Sequence, residues 1–379
     1  MNDSPEPDNS PRKPRVAVVF GGQSSEHAIS CVTAGSVLAA IDPAKYDVVP
    51  IGITTEGCWV LEDPDLARLS IRGADSLPSV DKARPTVALS RRRDGTVLEV
   101  SEPGQPPRAL GEIDVAFPLL HGPWGEDGTI QGLFEMAGIR YVGAGVLASA
   151  VSMDKPYMKL ILAAAGLPVM AAEVVTATQW RADPEGCRAR VSALGYPVFT
   201  KPARGGSSIG ISKVHAAGDV DAALLAAMAH DPKVLVEVAA EGAREVECGV
   251  LQGLDGTPEV SVPAEIRIGG EHEFYDFAAK YLPGEHTQLD VPAVLDPAVA
   301  GLMRDLSARA FTAVGCEGLA RVDFFVMPDG SLVINEINTM PGFTPVSMFP
   351  LMWAASGLDY PSLVDRLLQL ALQRGTGLR

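Results

Sequence analysis

A lysine followed by a glycine- and serine-rich stretch, KPARGGSSIG (201–210), has residue types suited to phosphate binding. Backbone N–H groups in such a stretch can face phosphate oxygens. Lys201 precedes the glycines, and the residues that follow, ISKV, favour a strand, so the stretch differs from a Walker loop. It predicts either a hairpin tip that folds over a nucleotide or an ordinary glycine-rich hairpin.

The segment RVDFFVMPDGSLVINEIN (321–338) is typical of two strands joined by a Met-Pro-Asp-Gly turn. Side chains alternate along a strand, so Arg321 and Asp323 share one face, as do Glu336 and Asn338. A four-residue loop would pair 323 with 334 and 321 with 336, and would place all four groups on one face. The side-chain oxygens of Asp323, Glu336 and Asn338 suit Mg²⁺, which also binds water and substrate phosphates. A surface ion pair would explain Arg321 with Glu336, but not the second acid and the amide.

The next stretch, TMPGFTPVS (339–347), offers hydrogen-bond donors. Gly342 has an unencumbered backbone N–H, and the Ser347 hydroxyl lies beside the N–H of Met348. Next to a metal-phosphate site, such donors could hold an oxyanion and a substrate carboxylate. Taken alone, the stretch is typical of a plain Pro-Gly turn.

Two N-terminal segments each follow a strand, GGQSSE (21–26) and HGPWGEDGTIQG (121–132). The first lacks the third glycine of a dinucleotide-binding loop. Glu26 could simply suit the positive end of a helix. Asp127 fits a helix cap as well as a ligand, and a lone His121 is more often structural than catalytic.

The surrounding pattern predicts an α/β protein. RVAVVF (15–20), a helix up to Asp42-Pro43, and DVVPIGIT form a β-α-β unit, and IDVAFPLL (113–120) extends an open, mostly parallel sheet. Residues 62–108 show little periodicity, which predicts irregular or edge structure. The strands AEVVT, YPVFTKPA, GISKV and VLVEVAA follow, then strands with Gly/Pro turns and a last helix, PSLVDRLLQLALQR.

Composition restricts the partners. The 379 residues carry a formal net charge of −16, which disfavours nucleic acid and anionic membranes. The most apolar stretch, 160–175, is interrupted by Gly166 and Pro168, so no membrane span is expected. Five scattered cysteines without a C-x-x-C pair predict reduced thiols and a cytoplasmic protein. The polar, Pro-rich residues 1–14 predict a disordered tail rather than a signal peptide.

Taken together and in this order, these segments resemble the D-alanine–D-alanine ligases of the ATP-grasp superfamily. The resemblance runs from about Arg15 to about Pro350 and is carried by HGPWGEDGTIQG and the run from Arg321 through NEINTMPGFTPVS. KYLPGEHTQ (280–288) resembles the family's mobile loop. The fold implied is ATP-grasp, α/β with an α+β C-terminal half. It would have an N-terminal substrate domain (15–148), a central subdomain (149–240) and a C-terminal subdomain (241–379) with the metal and acceptor site.

The activity implied is ATP-dependent joining of two D-alanine molecules through an acyl-phosphate, for peptidoglycan precursor synthesis. Glu26 would bind the ammonium group of the first D-alanine. Ser207 and Tyr281 would connect the glycine-rich hairpin and the mobile loop to Glu26. His121 would belong to the same substrate site. No motif in the sequence indicates the oligomeric state, and only the resemblance implies a homodimer.

The same resemblance assigns residues to the chemistry. Arg321 and the Gly342 N–H would stabilise a tetrahedral oxyanion, while Ser347 and Met348 would hold the second carboxylate. Asp323, Glu336 and Asn338 would carry two Mg²⁺ or Mn²⁺ ions. The resemblance also implies a monovalent cation as a further cofactor. The residues expected around ATP are Lys155, Lys201, Lys280, Ser207, Ser208, Glu237, Val238, Ala240 and Glu245.

Two positions depart from the family pattern. Val238 stands where relatives often have Lys, and Met348 stands where Leu is commoner. Alternatives remain at this level: a D-alanine–D-lactate ligase, another ATP-grasp carboxylate–amine ligase, or a non-catalytic binding protein. Tyr281, uncharged near neutral pH, favours an amine acceptor over lactate, although His272 and His286 lie in or beside the same loop.

Overall fold

The computed structural model describes residues 12–63, 66–70, 77–93, 95–206, 209–268 and 287–377. Its strands form three sheets that follow one another along the chain. The predicted α/β class is confirmed, whereas the predicted domain bounds at 148 and 240 stay a prediction. Within the described ranges, every helix is too short or too polar to cross a bilayer.

The N-terminal sheet has a parallel centre and an antiparallel edge. β2, β1, β7 and β8 lie side by side in parallel, and β3, β4, β5 and β6 continue the sheet antiparallel from β2. Residues 62–108, predicted as irregular or edge structure, supply most of that edge. The strands are β1 (Arg15–Gly21), β2 (Asp47–Ile53), β3 (Trp59–Leu61), β4 (Thr86–Arg92), β5 (Gly95–Ser101), β6 (Arg108–Glu112), β7 (Val115–Pro118) and β8 (Arg140–Tyr141).

The central sheet is antiparallel, in the order β11-β10-β12-β9. All four strands coincide with predicted ones; β9 and β12 are rich in valine, and all four are short segments bounded by polar or turn residues. They are β9 (Ala172–Thr176), β10 (Val198–Pro202), β11 (Ser212–Val214) and β12 (Lys233–Val238).

The C-terminal sheet is also antiparallel, in the order β16-β15-β13-β17-β18, with β14 paired to β13. Its central pair, β13 and β17, carries site residues on the face that meets the central sheet. The strands are β13 (Arg244–Gln252), β14 (Pro258–Val260), β15 (Ala264–Ile268), β16 (Thr287–Asp290), β17 (Leu319–Val326) and β18 (Leu332–Asn338).

Helices surround the sheets, and several begin at an aspartate cap followed by proline. Asp154, Asp183, Asp296 and Asp359 each accept a hydrogen bond from a first-turn backbone N–H. Such caps satisfy donors that have no partner inside the helix. The helices are α1 (His27–Ala40), α2 (Thr129–Ala137), α3 (Val146–Met153), α4 (Lys155–Ala164), α5 (Ala177–Ala182), α6 (Pro184–Ala193), α7 (Val220–Met228), α8 (Pro297–Ala313), α9 (Met348–Ala355) and α10 (Tyr360–Gln373), with short 3₁₀ turns at Leu66–Leu69 and Ala217–Asp219.

One hydrophobic core joins the two ends of the chain. Val18 and Phe117 of the N-terminal sheet are buried in the same cluster as Phe349 of α9 and Leu367 of α10. Phe343 contacts Phe117 edge to face, with ring centroids 6.1 Å apart. This packing fixes the loop after β18 against the carboxyl ends of β1 and β7.

Candidate active site

A cavity of about 460 Å³ lies where the three sheets meet. Each predicted site residue that the structure describes lines this cavity. These residues are Glu26, His121, Lys155, Lys201, Glu237, Val238, Ala240, Glu245, Arg321, Asp323, Glu336, Asn338, Gly342, Ser347 and Met348. What each of them binds stays a prediction.

The polar face of the β17–β18 hairpin forms one wall. Arg321 pairs with Asn338 and Asp323 with Glu336, so the four side chains lie directly opposite one another on one face. The shared face matches the prediction, but the predicted pairing of 323 with 334 and 321 with 336 is wrong. The connecting loop has one residue more than predicted (327–331), and a bulge near Asp323 and Phe324 shifts the register again.

Arg321 is a fixed cation at this wall. Its guanidinium donates two hydrogen bonds of 2.7 Å to the Asp323 carboxylate, and Nε lies 3.0 Å from Glu247 Oε2. Burial lowers the pKa of Arg321, but Asp323 and Glu247 outweigh it and hold the pKa well above its usual value. Glu247 lies on β13 and was not predicted, because nothing local in REVECGVLQ singles it out.

The oxygens beside Arg321 fit a magnesium site completed by a nucleotide. Asn338 Nδ2 donates to Asp323 Oδ2 at 3.0 Å and approaches Glu336 Oε1 at 3.4 Å, so the three groups converge. In the described part of the chain, no three His, Cys, Asp or Glu side chains are grouped to hold a metal by themselves. Two carboxylates and an amide suit Mg²⁺, which usually takes one or two carboxylates plus phosphate oxygens and water.

Two predicted phosphate-binding lysines enter from the central region. Lys155, in the first turn of α4, donates to the Gly205 carbonyl at 2.7 Å and lies 3.6 Å from Glu336 Oε2. Lys201 on β10 lies 2.8 Å from Glu237 Oε2. Burial lowers the pKa of Lys201, but Glu237, Glu336 and Glu245 raise it above the ordinary value. Lys201 is therefore a charged cation paired with Glu237, and Lys155 approaches the hairpin carboxylate Glu336.

Sequence reasoning missed two residues next to Lys201. Lys159 of α4 forms a buried ion pair with Glu237. Asn335 is the extra residue of the bulge in β18, and its Oδ1 lies 3.5 Å from Lys201 Nζ. The i, i+4 spacing of Lys155 and Lys159 on one helix was the available signal for Lys159. No local signal predicts the bulge at Asn335.

The N-terminal domain supplies two groups from loops at the carboxyl ends of β1 and β7. Glu26 is the N-cap residue of α1 but makes no capping hydrogen bond through its side chain, and its carboxylate lines the cavity. His121 is buried, with Nδ1 3.3 Å from the Met340 carbonyl oxygen. Burial lowers the pKa of His121, which favours the neutral imidazole.

Close packing places the loops around Glu26. A Cβ on Gly122 would lie 2.7 Å from Glu26 Oε2, and Gly122 has φ +72°. A Cβ on Gly206, in the glycine-rich hairpin, would lie 3.5 Å from the same oxygen. Glu126, also unpredicted, accepts a 2.6 Å hydrogen bond from the Gly122 N–H. Asp127 accepts the Trp124 N–H at 2.8 Å and the Thr129 N–H at 3.0 Å, whereas the N-cap residue of α2 is Gly128.

The opposite end of the cavity has N–H donors. Ser347 precedes α9, so the N–H of Met348 lies in the first turn, where helical N–H groups have no intrahelical partner. The Ser347 hydroxyl lies 2.7 Å from Thr344 Oγ1 and 3.1 Å from the Thr344 nitrogen. A Cβ on Gly342 would lie 3.3 Å from Ser347 Oγ, so the backbone approaches closely here.

Some predicted residues lie outside the described part of the chain. They are Ser207 and Ser208 of the glycine-rich hairpin, Lys280 and Tyr281 of the mobile loop, and His272 and His286 beside it. Of the loop KYLPGEHTQ, the last two residues are described, and they begin β16.

Comparisons with known proteins agree with the resemblance in the sequence. Residues 15–144 match the family described as D-ala D-ala ligase N-terminus, and residues 161–369 match D-ala D-ala ligase C-terminus. A D-alanine–D-alanine ligase of Arthrobacter sp. is 58% identical over 97% of this chain and 96% of its own length. One from Kineococcus radiotolerans is 57% identical over 97% and 99%.

Solved structures extend the agreement to the fold. The VanG D-Ala:D-Ser ligase of Enterococcus faecalis superimposes with a TM-score of 0.80 at 34% identity, covering 95% of this chain and 100% of its own. The D-alanine–D-alanine ligase of Coxiella burnetii gives 0.79 at 33% identity, covering 96% and 94%. The predicted ATP-grasp fold is thus confirmed, and the chain belongs to the D-alanine–D-alanine ligase family.

Proposed function

We propose that this enzyme joins two D-alanine molecules, with cleavage of ATP to ADP and phosphate, through a D-alanyl phosphate intermediate. The observation that carries this proposal is the arrangement of the cavity. Lys155, Lys201, the oxygen-bearing side chains of the β17–β18 hairpin and the buried Arg321 line one cavity together with Glu26, His121, Ser347 and Met348. A reaction that activates one carboxylate with ATP and transfers it to a second molecule needs all of these parts.

ATP binds between the central and C-terminal sheets. Lys155 and Lys201 face the phosphates, Glu237 and the backbone up to Ala240 face the adenine, and Glu245 faces the ribose. Asp323, Glu336 and Asn338 hold the divalent ions, Mg²⁺ or Mn²⁺. When bound, these ions neutralise charge on the phosphates and orient the γ-phosphate for in-line transfer. Lys280, expected at the γ-phosphate, lies outside the described residues.

The first D-alanine is held by its ammonium group at Glu26, beside the neutral His121. This arrangement directs its carboxylate towards the middle of the cavity. A carboxylate oxygen attacks the γ-phosphorus, the bond from that phosphorus to the bridging oxygen breaks, and ADP leaves. Arg321 offsets negative charge as the acyl-phosphate forms. Ser207 and Tyr281 are proposed to hold the hairpin and mobile loop over this site, which would keep water from the intermediate.

The second D-alanine binds by its carboxylate at Ser347 and the N–H of Met348. Its neutral amine attacks the acyl carbon, and the tetrahedral intermediate collapses as the bond from that carbon to the phosphate oxygen breaks. The departing phosphate takes up the proton that the amine nitrogen loses. Arg321 and the Gly342 N–H stabilise the oxyanion of that intermediate. A helix N-terminus suits a bound carboxylate, because its N–H groups and dipole both favour negative charge.

The test measures ADP release and product together. With ATP and Mg²⁺, we expect ADP release to depend on D-alanine and to match D-alanyl-D-alanine mole for mole, with little response to L-alanine. ADP release that ignores D-alanine, or that yields no dipeptide, would refute the proposal. A competition among equal D-alanine, D-serine and D-lactate tests the acceptor, for which we expect D-alanyl-D-alanine to predominate across about pH 6–9.

D-serine and D-lactate are included for specific reasons. The structural relative VanG is a D-Ala:D-Ser ligase, whereas the relatives at 57–58% identity are D-alanine–D-alanine ligases. A protonated histidine from the mobile loop would repel an acceptor ammonium and favour lactate. Substantial ester product near pH 6 would therefore assign that position to His272 or His286 instead of Tyr281.

We also propose that the enzyme supplies peptidoglycan precursors in the cytoplasm as a homodimer. The five cysteines are free thiols, which suits a reducing compartment. Met136 on α2 and Leu147 on α3 are 86% and 71% exposed, and such apolar side chains favour a protein contact. Sedimentation equilibrium at micromolar concentration tests the dimer, and a purely monomeric species would refute it.

A further inference from the structure

Lys159 is a buried lysine for which the proposed reaction has no role. It lies one helical turn after Lys155 on α4, and only 6% of its surface is exposed. Its ammonium group forms an ion pair with Glu237 Oε1 and donates to the Asn335 carbonyl at 3.3 Å. Lys159 lies behind Glu237, outside the lining of the cavity. It therefore contacts residues that face the nucleotide without facing the nucleotide itself.

Glu237 is shared between two lysines. Lys159 pairs with Oε1 and Lys201 with Oε2, the latter at 2.8 Å. Glu237 is 1% exposed, and burial alone would raise its pKa. Lys201 and Lys159 outweigh burial and hold the pKa of Glu237 below its usual value, so the carboxylate is ionised.

The two lysines differ in what they can do when ATP binds. Lys201 lines the cavity and also reaches Asn335 Oδ1 at 3.5 Å, so it can turn towards phosphates. Any movement of Lys201 towards phosphate weakens its pairing with Glu237. A buried carboxylate that loses its only counter-ion is strongly destabilised. Lys159 lies outside the cavity lining, so phosphates in the cavity do not compete for it; burial and the charge of Lys201 lower the pKa of Lys159, and its ion pair with Glu237 opposes that effect.

We propose that Lys159 is a positioning residue for ATP: it is the permanent counter-ion of Glu237 and thereby frees Lys201 to bind phosphate. This inference rests on the proposed ATP site. It predicts that loss of Lys159 weakens nucleotide binding, because Lys201 is then retained by Glu237. The contact of Lys159 with the Asn335 carbonyl adds to this effect, since it fixes the bulge that precedes Glu336.

A matched control separates this role from simple stabilisation of the fold. Lys233 on β12 forms a partly buried ion pair with Asp154 at the start of α4. It therefore connects the same two elements as the Lys159–Glu237 pair, but it does not line the cavity. Lys159→Met and Lys233→Met each remove one such ion pair. Both variants are expected to melt at a lower temperature than the parent.

The measurements are KM for ATP, KM for D-alanine, and the Kd of Mg-ADP by calorimetry. For Lys159→Met we expect KM for ATP and Kd for ADP to rise about tenfold or more, as for a lost buried charge contact. KM for D-alanine should change less than about twofold. Lys159→Arg, which keeps the cation, should stay within about threefold of the parent. Lys233→Met should leave both nucleotide constants unchanged.

A double-mutant cycle tests the route through Glu237. If Lys159 acts as its counter-ion, Lys159→Met should cost about tenfold in ADP affinity in the parent but less than about threefold beside Glu237→Gln. Equal losses in both backgrounds would overturn the proposal, as would unchanged ADP affinity in folded Lys159→Met. The ADP measurement does not depend on dipeptide formation. Failure of the parent to make D-alanyl-D-alanine would overturn the proposed function and leave this test valid.

Discussion

The N-terminal and C-terminal parts of the cavity are built in different ways. Glu26 and His121 lie in loops that follow parallel strands, so their positions depend on loop conformation. Arg321, Asp323 and Glu336 lie within antiparallel strands, where the backbone sets the direction of each side chain. The hairpin therefore fixes its polar groups by strand alternation, whereas the loops need special backbone conformations such as φ +72° at Gly122.

This difference explains why the prediction of a shared polar face on the hairpin was correct although the predicted strand register was wrong. The register predicted for β17 and β18 was displaced by two residues at Arg321 and Asp323, yet all four polar groups still share one face. Side chains alternate with a period of two, so a displacement by two residues keeps every side chain on its face. Strand alternation does not set the directions of side chains in the loops, so these directions depend on each backbone dihedral angle. A change of one dihedral angle would move Glu26 or His121 away from the cavity.

The largest expected effect is at the hairpin. Glu336→Ala should lower kcat at least about a thousandfold. It removes a proposed ligand of the divalent cations, so the negative charge of the phosphates in the transition state is less well compensated. The melting temperature should change little, because Glu336 is partly exposed and the hydrophobic face of the strand is retained. Glu99→Ala, an exposed strand carboxylate paired with Arg92, is the control and should keep full activity. Wild-type turnover by Glu336→Ala at saturating Mg²⁺ would show that the hairpin is not the metal site.

At the N-terminal loops, the effect should be on substrate affinity. Glu26→Gln should raise KM for the first D-alanine at least about 30-fold, the lower end of the cost of a lost buried charge contact, with a smaller change in kcat. Initial rates over a wide range of D-alanine concentration separate the two binding sites. Glu62→Gln alters another buried carboxylate of this domain, outside the cavity, and should not change KM. A selective loss of kcat in Glu26→Gln would contradict the comparison between loops and hairpin.

A smaller effect should follow from changing the loop conformation alone. Gly122→Ala places a Cβ 2.7 Å from the Glu26 carboxylate and strains a left-handed backbone, so KM for the first D-alanine should rise about tenfold. Gly104→Ala is the matched control, because Gly104 has φ +78° and nothing within 4 Å of the added Cβ. It carries the backbone strain, about 1 kcal/mol, without the clash. Equal KM changes in both variants would mean that the clash with Glu26 is unimportant.

The sequence predicts the fold and the location of the site to different extents. Short β-branched runs and the motifs at 121–132 and 321–347 carry enough local pattern to predict the strands and the family, and both are confirmed. Lys159 was missed although its i, i+4 spacing from Lys155 was available, whereas Glu247 and Asn335 were missed for physical reasons. Glu247 depends on pairing between β13 and β17, and Asn335 on a bulge, and neither depends on nearby residues alone. The packing of α10 against the N-terminal sheet likewise arises from contacts distant in sequence.

The last expected effect is on stability rather than on activity, and it concerns Glu126, which belongs to the N-terminal loops. Burial and the nearby Glu26 raise the pKa of Glu126 from 4.5 to about 8. The folded protein therefore binds this proton more tightly than the unfolded chain does. The stabilisation is fully present below about pH 4.5 and is lost as pH rises through about 8.

Glu126→Gln imitates the protonated carboxyl at every pH, and its side-chain oxygen can still accept the Gly122 N–H. Relative to the parent, the variant should gain stability as pH rises from 5 to 9, by up to about 4 kcal/mol for a pKa of about 8, with a corresponding rise in Tm. Thermal melting of both proteins without Mg²⁺ or nucleotide measures this difference, and their other titrating groups cancel in the comparison. A difference in Tm that stays constant across this range would show that Glu126 is already ionised in the fold. In that case the loops, like the hairpin, would hold their carboxylates as anions, and the contrast between the two regions would be one of backbone geometry alone.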